Sequence, residues 1–455
     1  MFSDPASRPA LAHSAATGAP LRVGMIGIGT VGIGTWRVLQ RNQTAIAGRA
    51  GRAIEILAVA ARNLTRAAQL LGDAPGVALT SDPLQLATRP DIDVLVEVAG
   101  GTGPAREWVL AAIAHGKHVV TANKALLAEH GNEIFAAAHQ RGVAVAYEGA
   151  VAVSIPIVKA LREGLAANQV EWVADIVNGT TNFILTRMRE AGLGFDEALA
   201  EAQALGYAEA DPSFDVDGID AAHKTALLAA NAFGMPVRFS QAHVEGIRAL
   251  QAVDVACAER LGYRVKLLGI ARLQDAGVQL RVHPALVPAD HLLAAVNGAM
   301  NGVLVKGDAS GITMHYGAGA GSETTASAVI ADLIDMARQT LDGRRPCVPG
   351  LAFHPHAQVD RPVLPMASVR TAHYLRVPLA RREAMAELAA ALGARGVTPV
   401  TMSVHVQPSG AHAGLHALIV TAPVADGVAQ HAAGQMEGLS ACCGPVARLR
   451  IERLD

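Results

Sequence analysis

Short apolar runs alternate with alanine-rich stretches of helical length through the first third of the chain. The first run, Leu21 to Ile26, leads into a glycine-rich turn, and later runs occur in "AIEILAVAAR", "DIDVLVEVAGG", "KHVVTANK" and "GVAVAYEGAV". Runs that are apolar at nearly every position are typical of strands buried on both faces. Their alternation with helical patterns predicts an α/β fold with a parallel, doubly wound sheet.

The middle and the end of the chain follow different patterns. The stretch "VEWVADIVNGTTNFILTRMREAG" predicts a strand, an Asn-Gly turn and a helix, and strand-like runs follow in "AHVEGIRAL", "YRVKLLGIARL", "VQLRVHPALV" and "NGVLVKGD". A glycine-rich loop in "GAGAGSETT" opens a long helical pattern. After a proline-rich segment, the residues from about 368 onward predict a small domain of two βαβ units.

The composition narrows the class of protein. The 455 residues are enough for two or three domains, and 51% hydrophobic with 17% charged residues is typical of a globular protein with large cores. A formal net charge of −2 without a basic block argues against a nucleic-acid partner. The apolar runs are interrupted well before the length of a membrane span, so no membrane partner is expected.

The four cysteines show no metal-binding or redox spacing. Cys257, Cys347, Cys442 and Cys443 include no CxxC pair. We interpret them as reduced thiols, which predicts a cytoplasmic protein. The first 20 residues lack the apolar core of a signal peptide and predict a flexible tail.

A GxGxxG motif follows the first predicted strand. A helical pattern begins within the motif, which consists of Gly27, Ile28, Gly29, Thr30, Val31 and Gly32. In this context the glycines allow a tight turn, and a pyrophosphate can approach the backbone N–H groups at the helix N-terminus. The motif therefore predicts a dinucleotide site.

The second strand ends in basic residues. Its end, "AVAARNLTR", carries Arg62 and Arg66 but no acid that could bind the ribose hydroxyls of NAD. A basic side chain at this place can contact a 2′-phosphate, which favours NADP over NAD; exposed arginines without a ligand are the alternative. A second glycine loop, Gly317, Gly319 and Gly321, also opens a helix, and it either closes over the cofactor or serves helix packing alone.

Five carboxylates precede a single lysine in the stretch "GYAEADPSFDVDGIDAAHK". They are Glu209, Asp211, Asp215, Asp217 and Asp220. Asp220 and Lys224 are four residues apart in a helical pattern and therefore share one face, either as an acid–base pair or as a surface ion pair. A calcium loop is excluded, because Lys224 stands where an EF-hand requires a bidentate Glu.

The turn Asn178-Gly179-Thr180-Thr181 lies between a buried strand and a helix in the predicted order. Its N–H groups and hydroxyls are suited to a substrate carboxylate. An N-cap without a ligand is the alternative, since Asn is a favoured residue at that position.

Several blocks of the chain, in this order, are similar to homoserine dehydrogenases. The blocks are "GIGTVG", "VEVAGG", "TANKALLA", "YEGAVAVSIPIV", "DIVNGTTNFIL", "GYAEADPSFDVDGIDAAHK" and "YGAGAGSETTASAV". The residues from about 368 resemble the ACT regulatory module often attached to this family, and no amino-terminal kinase portion is expected.

The resemblance implies a division of the chain into parts. We expect a tail at 1–20, an NAD(P)-binding Rossmann domain at 21–150 completed by 317–345, a catalytic, substrate and dimerisation domain at 151–316, a linker at 346–367 and an ACT-like βαβ-βαβ domain at 368–455.

The resemblance also implies the activity. Members oxidise L-homoserine to L-aspartate 4-semialdehyde with a nicotinamide, or catalyse the reverse, on the route to threonine and methionine. By matching positions Lys224 is the general acid/base, Asp220 belongs to the same constellation and Glu209 contacts the substrate amine. A lysine suits this role, because an alkoxide formed from an aldehyde needs a proton donor whose pKa burial and neighbouring acids can tune.

Further contacts are expected from the same resemblance. Thr121 and Lys124 of "TANK" are expected at the cofactor, where Gly321 is also placed if the second glycine loop closes over it. The family also binds a sodium ion, and the matching ligands are the Glu148 carboxylate and the backbone oxygens of Val151, Val153 and Ile155.

The chain departs from the family pattern in two places. Val153-Ser154 replaces a glycine pair in the sodium loop, and the tail lacks the Asp-x-Pro-Gly turn that begins the effector helix, so threonine regulation stays open. A homodimer is expected from the resemblance, and a tetramer is the alternative. Two other functions remain open, namely another NADP-dependent dehydrogenase of a small amino acid and a non-catalytic dinucleotide sensor.

Overall fold

The computed structural model describes residues 18–340, 348–407 and 413–454. The predicted tail at 1–20 lies mostly outside the described residues, as do Cys347 and the first two positions of the predicted linker.

Six parallel strands form the first sheet. The strands are β1 (Leu21–Ile26), β2 (Ile54–Ala60), β3 (Ala78–Thr80), β4 (Val94–Glu97), β5 (His118–Thr121) and β6 (Val145–Ala146). The helices among them are α1 (Thr30–Arg41), α2 (Gln43–Ala50), α3 (Leu64–Leu71), α4 (Pro83–Thr88), α5 (Gly103–Ala114) and α6 (Lys124–Arg141). The order β3-β2-β1-β4-β5-β6 is that of a doubly wound dinucleotide-binding sheet, which confirms the predicted fold class.

The last strand of this sheet is shorter than the sequence suggested. The apolar run "GVAVAYEGAV" gives only the two residues of β6 and then a 3₁₀ turn at Glu148–Ala150. The backbone N–H of Glu148 donates to the Asp332 carboxylate at 2.8 Å instead of continuing a strand ladder.

A second sheet of eleven strands is built from the rest of the described chain. Its strands are β7 (Val170–Ile176), β8 (His243–Val244), β9 (Tyr263–Gln274), β10 (Gly277–Pro288), β11 (Met300–Gly307), β12 (Gly311–Ala318), β13 (Arg370–Leu379), β14 (Pro399–Gln407), β15 (Gly414–Thr421), β16 (Val424–Ala425) and β17 (Ala447–Ile451). The main path runs β12-β11-β7-β9-β10-β17-β13-β15-β14, with β8 beside β10 and β16 beside β13. The run "AHVEGIRAL", expected to be a strand, contributes only the two residues of β8.

Nine helices accompany these strands in the described residues. They are α7 (Ile157–Lys159), α8 (Gly179–Ala191), α9 (Phe195–Ala204), α10 (Ser213–Val216), α11 (Ile219–Phe233), α12 (Ala252–Arg260), α13 (Ser322–Thr340), α14 (Met385–Gly393) and α15 (Asp426–Glu437). Helix α7 continues into a short π-helical stretch, Ala160–Gly164.

Helix α11 lies at the centre of the molecule. Every residue from Asp220 to Phe233 is buried, because the helix packs against β7, β9 and β10 on one side and against α6 on the other. Its alanine-rich sequence allows this close approach from several directions. The helix therefore holds Asp220 and Lys224 between the two sheets.

Helix α13 returns the chain to the first sheet. Its residues Val329 and Leu333 share a core with Ile33 and Val38 of α1. A Cβ at Gly34 would lie 2.5 Å from the backbone oxygen of Ser322, so the two helices meet with no room for a side chain there. This contact brings the glycine loop before α13 to the GxGxxG turn.

The carboxyl-terminal residues form a β-α-β-β-α-β unit, here termed the C-terminal module and comprising 370–407 and 413–451 of the described chain. Its four main strands are antiparallel in the order β17-β13-β15-β14, which is a ferredoxin-like arrangement. Strand β17 also pairs in parallel with β10 through Ala285 with Arg450 and Leu286 with Ile451. The module is therefore joined to the central sheet by backbone hydrogen bonding, and its ACT-like identity remains a prediction.

Candidate active site

A buried carboxylate, Asp220, is the centre of the site. It lies in the first turn of α11, which begins after Gly218 in the left-handed conformation (φ 83°), and its exposed fraction is 3%. Lys224 Nζ donates to Asp220 Oδ2 at 2.7 Å, and Lys124 Nζ lies 2.9 Å from Asp220 Oδ1. Asn178 Nδ2 donates to Oδ2 at 2.8 Å. The pair predicted from the four-residue spacing is therefore buried and shared with a second lysine.

The surroundings shift the two lysines in opposite directions. Burial lowers the pKa of Lys224, and the neighbouring Asp220 carboxylate opposes this only in part. Burial also acts to lower the pKa of Lys124, but Asp220, Asp215 and Glu209 together raise it above its usual value. Burial would raise the pKa of Asp220, yet the two lysines hold it far below the usual range. Lys224 is thus the cation that releases a proton more readily.

The Lys224 ammonium has a fixed orientation. Besides the bond to Asp220, its Nζ donates to the backbone oxygen of Val177 at 2.7 Å. An ammonium carries three donors, so these two bonds leave one donor for a substrate oxygen.

Asn178 connects the strand end to the acids. Its side-chain oxygen accepts from the backbone N–H of Thr181 at 2.8 Å and caps α8, while Nδ2 donates to Asp215 at 2.7 Å as well as to Asp220. Burial raises the pKa of Asp215, and the Asn178 bond opposes this. The Asn-Gly turn thus forms a helix cap and orients two carboxylates.

The other residues predicted for the substrate have different surroundings. Glu209 is exposed, and its charge contributes to raising the pKa of Lys124. The Thr180 hydroxyl donates to the backbone oxygen of Tyr207 at 2.8 Å. A Cβ at Gly179 would lie 2.8 Å from the backbone oxygen of Ala299, so a side chain there would clash with that loop.

The two remaining acids of the cluster make local contacts. Asp217 forms an ion pair with Arg248 at 2.5 Å, and Asp211 accepts from the backbone N–H of Ser213 at 3.1 Å. The positive groups among the five carboxylates are therefore Lys224, Lys124 and Arg248.

A cavity of about 760 Å³ lies at the carboxyl ends of the first sheet, at the switch point between β1 and β4. It is lined by Gly27, Ile28, Gly29, Arg62 and Arg66 among others. A Cβ at Gly29 would meet open space, and no side chain caps α1 at this end. The exposed Gly29 and Thr30 therefore leave the helix N-terminus accessible to an anion.

Two glycines of the motif serve the turn itself. Gly27 has φ 103°, and a Cβ at Gly32 would lie 2.2 Å from the backbone oxygen of Gly27. Ile28 and Val31 of the motif are buried and half-buried respectively. The motif thus combines a close strand–helix contact with an open N-terminus.

Glu97 is a buried acid that the sequence interpretation missed. It accepts from the backbone N–H groups of Ala99 and Gly100 at 2.9 and 3.0 Å, and from the Thr121 hydroxyl at 2.7 Å. Thr121, predicted at the cofactor, thus orients the loop that lines the cavity. A lone Glu at the end of an apolar strand before a Gly pair was the available signal.

Lys124 and Gly321 lie where the two sheets approach each other. Lys124 begins α6, whose cap Asn123 donates from Nδ2 to the backbone oxygen of Gly101 at 2.7 Å, next to the cavity. Gly321 has φ 133°, and the following Ser322 donates from Oγ to the backbone oxygen of Thr30 at 2.5 Å. The start of α6 therefore connects the cavity, through Asn123, with Asp220, through Lys124, and the second glycine loop adjoins the first.

The predicted sodium ligands lie around two buried acids. Glu148 Oε1 and Oε2 accept from the backbone N–H groups of Val158 and Lys159 at 2.9 and 2.8 Å. Burial raises the pKa of Glu148, and burial together with Glu148 raises that of Asp332 to about 7. Lys159, whose Nζ lies 3.9 Å from Asp332 Oδ1, and Arg162 oppose both shifts, so these acids already interact with two cationic side chains.

The turn that carries the predicted sodium carbonyls is strained. Val153 has φ 35°, a left-handed conformation that is costly for a β-branched residue and natural for glycine. The oxygen of Ile155 already accepts from the backbone N–H of Ile157 at 2.8 Å. In the described residues no group of three or more His, Cys, Asp or Glu could hold a metal, so any ion here depends on Glu148 and backbone oxygens. These donors suit a hard monovalent cation.

Asp175 is a second buried acid that the sequence interpretation missed, and it lies next to the residue that follows Lys224. It is fully buried in β7, and the hydroxyl of Thr225, the residue after Lys224, lies 3.1 and 3.2 Å from its two oxygens. Burial raises its pKa to about 7, although Thr225 and Lys224 oppose the shift. Asp175 is the one polar residue in the run "WVADIV", and this was the signal in the sequence.

Two family models match the chain. The model described as "Homoserine dehydrogenase" covers residues 156–334, and "Homoserine dehydrogenase, NAD binding domain" covers residues 27–148. A homoserine dehydrogenase of Pseudomonas aeruginosa is 50% identical over 438 residues, which is 96% of this chain and 100% of that relative.

Solved structures agree with these matches. A homoserine dehydrogenase from Thiobacillus denitrificans is 51% identical with a TM-score of 0.91, covering 96% of this chain and 99% of that one. A hyperthermophilic archaeal homoserine dehydrogenase in complex with NADPH is 26% identical with a TM-score of 0.59, covering 70% of this chain and 97% of that one. Within the described residues, the helices are too short or too polar to cross a membrane.

Asp175 gives a testable pH dependence. Its folded pKa of about 7 lies above the value of about 3.9 in an unfolded chain, so between these pH values the unfolded chain alone loses the proton. The carboxyl therefore lowers the free energy of unfolding as the pH rises. We therefore compare the free energy of unfolding of Asp175→Asn with that of the parent by urea unfolding. The difference should increase in favour of the variant by about 2–4 kcal/mol between pH 4 and pH 8.

The control is Asp275→Asn, an exposed position in the β9–β10 turn, for which the difference from the parent should stay flat. A flat difference for Asp175→Asn as well would mean that the pKa of this carboxyl is the same in the folded and the unfolded chain.

Proposed function

The chain belongs to the homoserine dehydrogenase family, and from this membership we propose how its own residues carry out the reaction. The protein is an oxidoreductase that interconverts L-homoserine and L-aspartate 4-semialdehyde with a nicotinamide dinucleotide. Of the functions left open by the sequence, the dinucleotide sensor and the dehydrogenase of another amino acid give way to this assignment.

The proposed general acid/base is Lys224. When aspartate semialdehyde is reduced, the carbonyl oxygen becomes an alkoxide, and Lys224 donates a proton to it from Nζ. In the opposite direction, a neutral Nζ accepts the hydroxyl proton of homoserine. A nicotinamide held in the cavity would supply hydride chemistry at the substrate carbon. The observation that supports this role is the buried Lys224, whose two bonds to Asp220 and Val177 leave one donor free.

Asp220 and Lys124 complete the proposed catalytic group. Asp220 holds both ammonium groups in place, and its negative charge limits how far burial lowers the pKa of Lys224. Lys124 is bound to this carboxylate, and the preceding residue, Asn123, is bound to Gly101 of the cavity lining. We therefore assign its charge to the junction between the cofactor and the reacting oxygen. Such fixed charges stabilise an oxyanion best where water is excluded.

The proposed substrate contacts use the acid cluster. Homoserine carries an α-ammonium, and the exposed Glu209, whose charge acts on Lys124, offers a carboxylate for it. The substrate carboxylate is assigned to the turn Asn178-Gly179-Thr180, at the N-terminus of α8. In this arrangement the reactive carbon lies between the Asn178 turn and Lys224.

We further propose that the cofactor is NADP and that the protein acts in the cytoplasm as a homo-oligomer. Arg62 and Arg66 line the cavity, and the archaeal relative was solved with NADPH. Cys257, Cys442 and Cys443 are free thiols in the described chain, in keeping with a reducing compartment. Cell fractionation tests the compartment, and sedimentation equilibrium tests the assembly.

Replacement of Lys224 tests the proposed acid/base. Lys224→Met should lower kcat by about 10²–10⁴-fold, because the proton donor is lost. The dissociation constant for NADPH, measured by fluorescence, should stay within about twofold of the parent. Lys306→Met, on β11 beside Glu171, is the control and should leave kcat unchanged. Parent-like turnover of Lys224→Met would remove Lys224 from the mechanism.

Replacement of the two arginines tests the cofactor preference. Arg62→Ala and Arg66→Ala should each raise the KM for NADPH about tenfold and leave that for NADH nearly unchanged, since only NADPH has the 2′-phosphate. Arg382→Ala, in the C-terminal module, is the control. Equal effects on both cofactors would assign the arginines to general binding of the diphosphate.

Sodium dependence tests the proposed ion site. Steady-state activity should be higher in NaCl than in choline chloride at equal ionic strength, and Glu148→Gln should reduce the difference. Identical activity in both salts for the parent would exclude a functional sodium ion.

A further inference from the structure

The C-terminal module contributes a buried arginine to the central domain. Arg450 lies on β17, and its exposed fraction is 3%. Its Nη1 and Nη2 donate to the two carboxylate oxygens of Glu245, each at 2.8 Å. Its Nε donates to Asp426 of α15 at 2.7 Å. This bidentate geometry fixes the distance of the Glu245 carboxylate from the guanidinium and the orientation of its plane.

Glu245 is also held by residues of the central sheet outside the C-terminal module. It directly follows β8, and its backbone N–H donates to the oxygen of Val282 on β10 at 2.8 Å. His243 Nε2 lies 2.7 Å from the Glu245 carboxylate. The position of Glu245 is therefore set by β10, by the β8 histidine and by the module.

The three residues after Glu245 contact the segment 213–217, which contains α10 and Asp217. A Cβ at Gly246 would lie 2.3 Å from the backbone oxygen of Val216, so the two backbones touch. The backbone N–H of Ile247 donates to that same oxygen at 2.8 Å. Arg248 binds Asp217 at 2.5 Å and donates to the Ser213 hydroxyl at 2.9 Å. The loop 245–248 thus holds both ends of α10.

Helix α10 carries one of the site carboxylates. Asp215 accepts from Asn178 Nδ2, the same amide that donates to Asp220. A shift of α10 would therefore move Asp215 and change how Asn178 is shared between the two acids. The contacts form one continuous path from Arg450 through Glu245 and α10 to the Lys224 site.

We infer that Glu245 is a positioning residue through which the C-terminal module holds α10 in its substrate-binding geometry. The inference rests on the proposed function, in which the acid cluster receives the amino acid. Glu245 itself does not contact the cofactor cavity, whose lining comes from the first sheet. Its role is therefore specific to the amino-acid substrate and not to the dinucleotide.

Glu245→Gln is the first test. The change preserves the size of the side chain but removes the charge that Arg450 and His243 face. We expect the KM for homoserine to rise about tenfold, since small displacements of binding groups are costly. The kcat should stay within about threefold of the parent and the KM for NADPH within about twofold. Glu387→Gln, which breaks an exposed ion pair with Arg381 inside the module, is the matched control and should change none of these values.

A double-mutant cycle separates positioning from general destabilisation. Arg450→Met should also raise the KM for homoserine, and Glu245→Gln combined with Arg450→Met should be no worse than the stronger single variant, because both remove the same contact. Arg450→Lys should restore part of the affinity. If Arg450→Met fails to fold, Glu245→Gln alone still decides the question.

Two results would overturn the inference. One is a parent-like KM for homoserine in Glu245→Gln. The other is a parallel loss of affinity for homoserine and NADPH that follows the loss of thermal stability. Neither result affects the role of Lys224, whose replacement is expected to lower kcat at saturating substrate, so the two proposals fail separately.

Discussion

The site depends on one buried negative charge placed between two positive ones. Asp220 has almost no contact with water, so its carboxylate is stable only while Lys224, Lys124 and Asn178 surround it. Each partner comes from a different part of the fold: α11, the start of α6 and the end of β7. Correct packing of the two sheets is therefore a condition for ionising this group, and the chemistry of Lys224 follows from it.

The same arrangement explains why the pKa values of Lys224 and Lys124 shift in opposite directions although both lysines bind Asp220. Lys224 lies on α11, is buried to 7% exposure and packs toward the second sheet, so loss of hydration dominates its pKa. Lys124 stands at the opening, where three carboxylates act on it together. A proton donor and a permanent cation thus arise from one residue type through burial and charge alone.

Much of this was visible in the sequence. The parallel sheet, the GxGxxG turn and the shared face of Asp220 and Lys224 followed from local patterns, because apolar period, glycine placement and helical spacing are local properties. For Glu97 and Asp175 the sequence offered only an acid within or at the end of an apolar run. Their burial itself could not be predicted, since it depends on strands that pack from distant parts of the chain. The route from Arg450 to Glu245 was hidden for the same reason. A two-residue strand such as β8 is too short to show an alternation of apolar and polar residues, and it forms only because it pairs with β10.

The pairing of β17 with β10 has a consequence for how the chain can be divided. In the intact fold the backbone groups of β10 near Ala285 and Leu286 are satisfied by a strand from the far end of the described chain. Without that strand they would form an open, mostly apolar sheet edge, which is a template for pairing with other chains. A shortened protein that ends before β13 would therefore be prone to aggregate, even if its catalytic residues were all present.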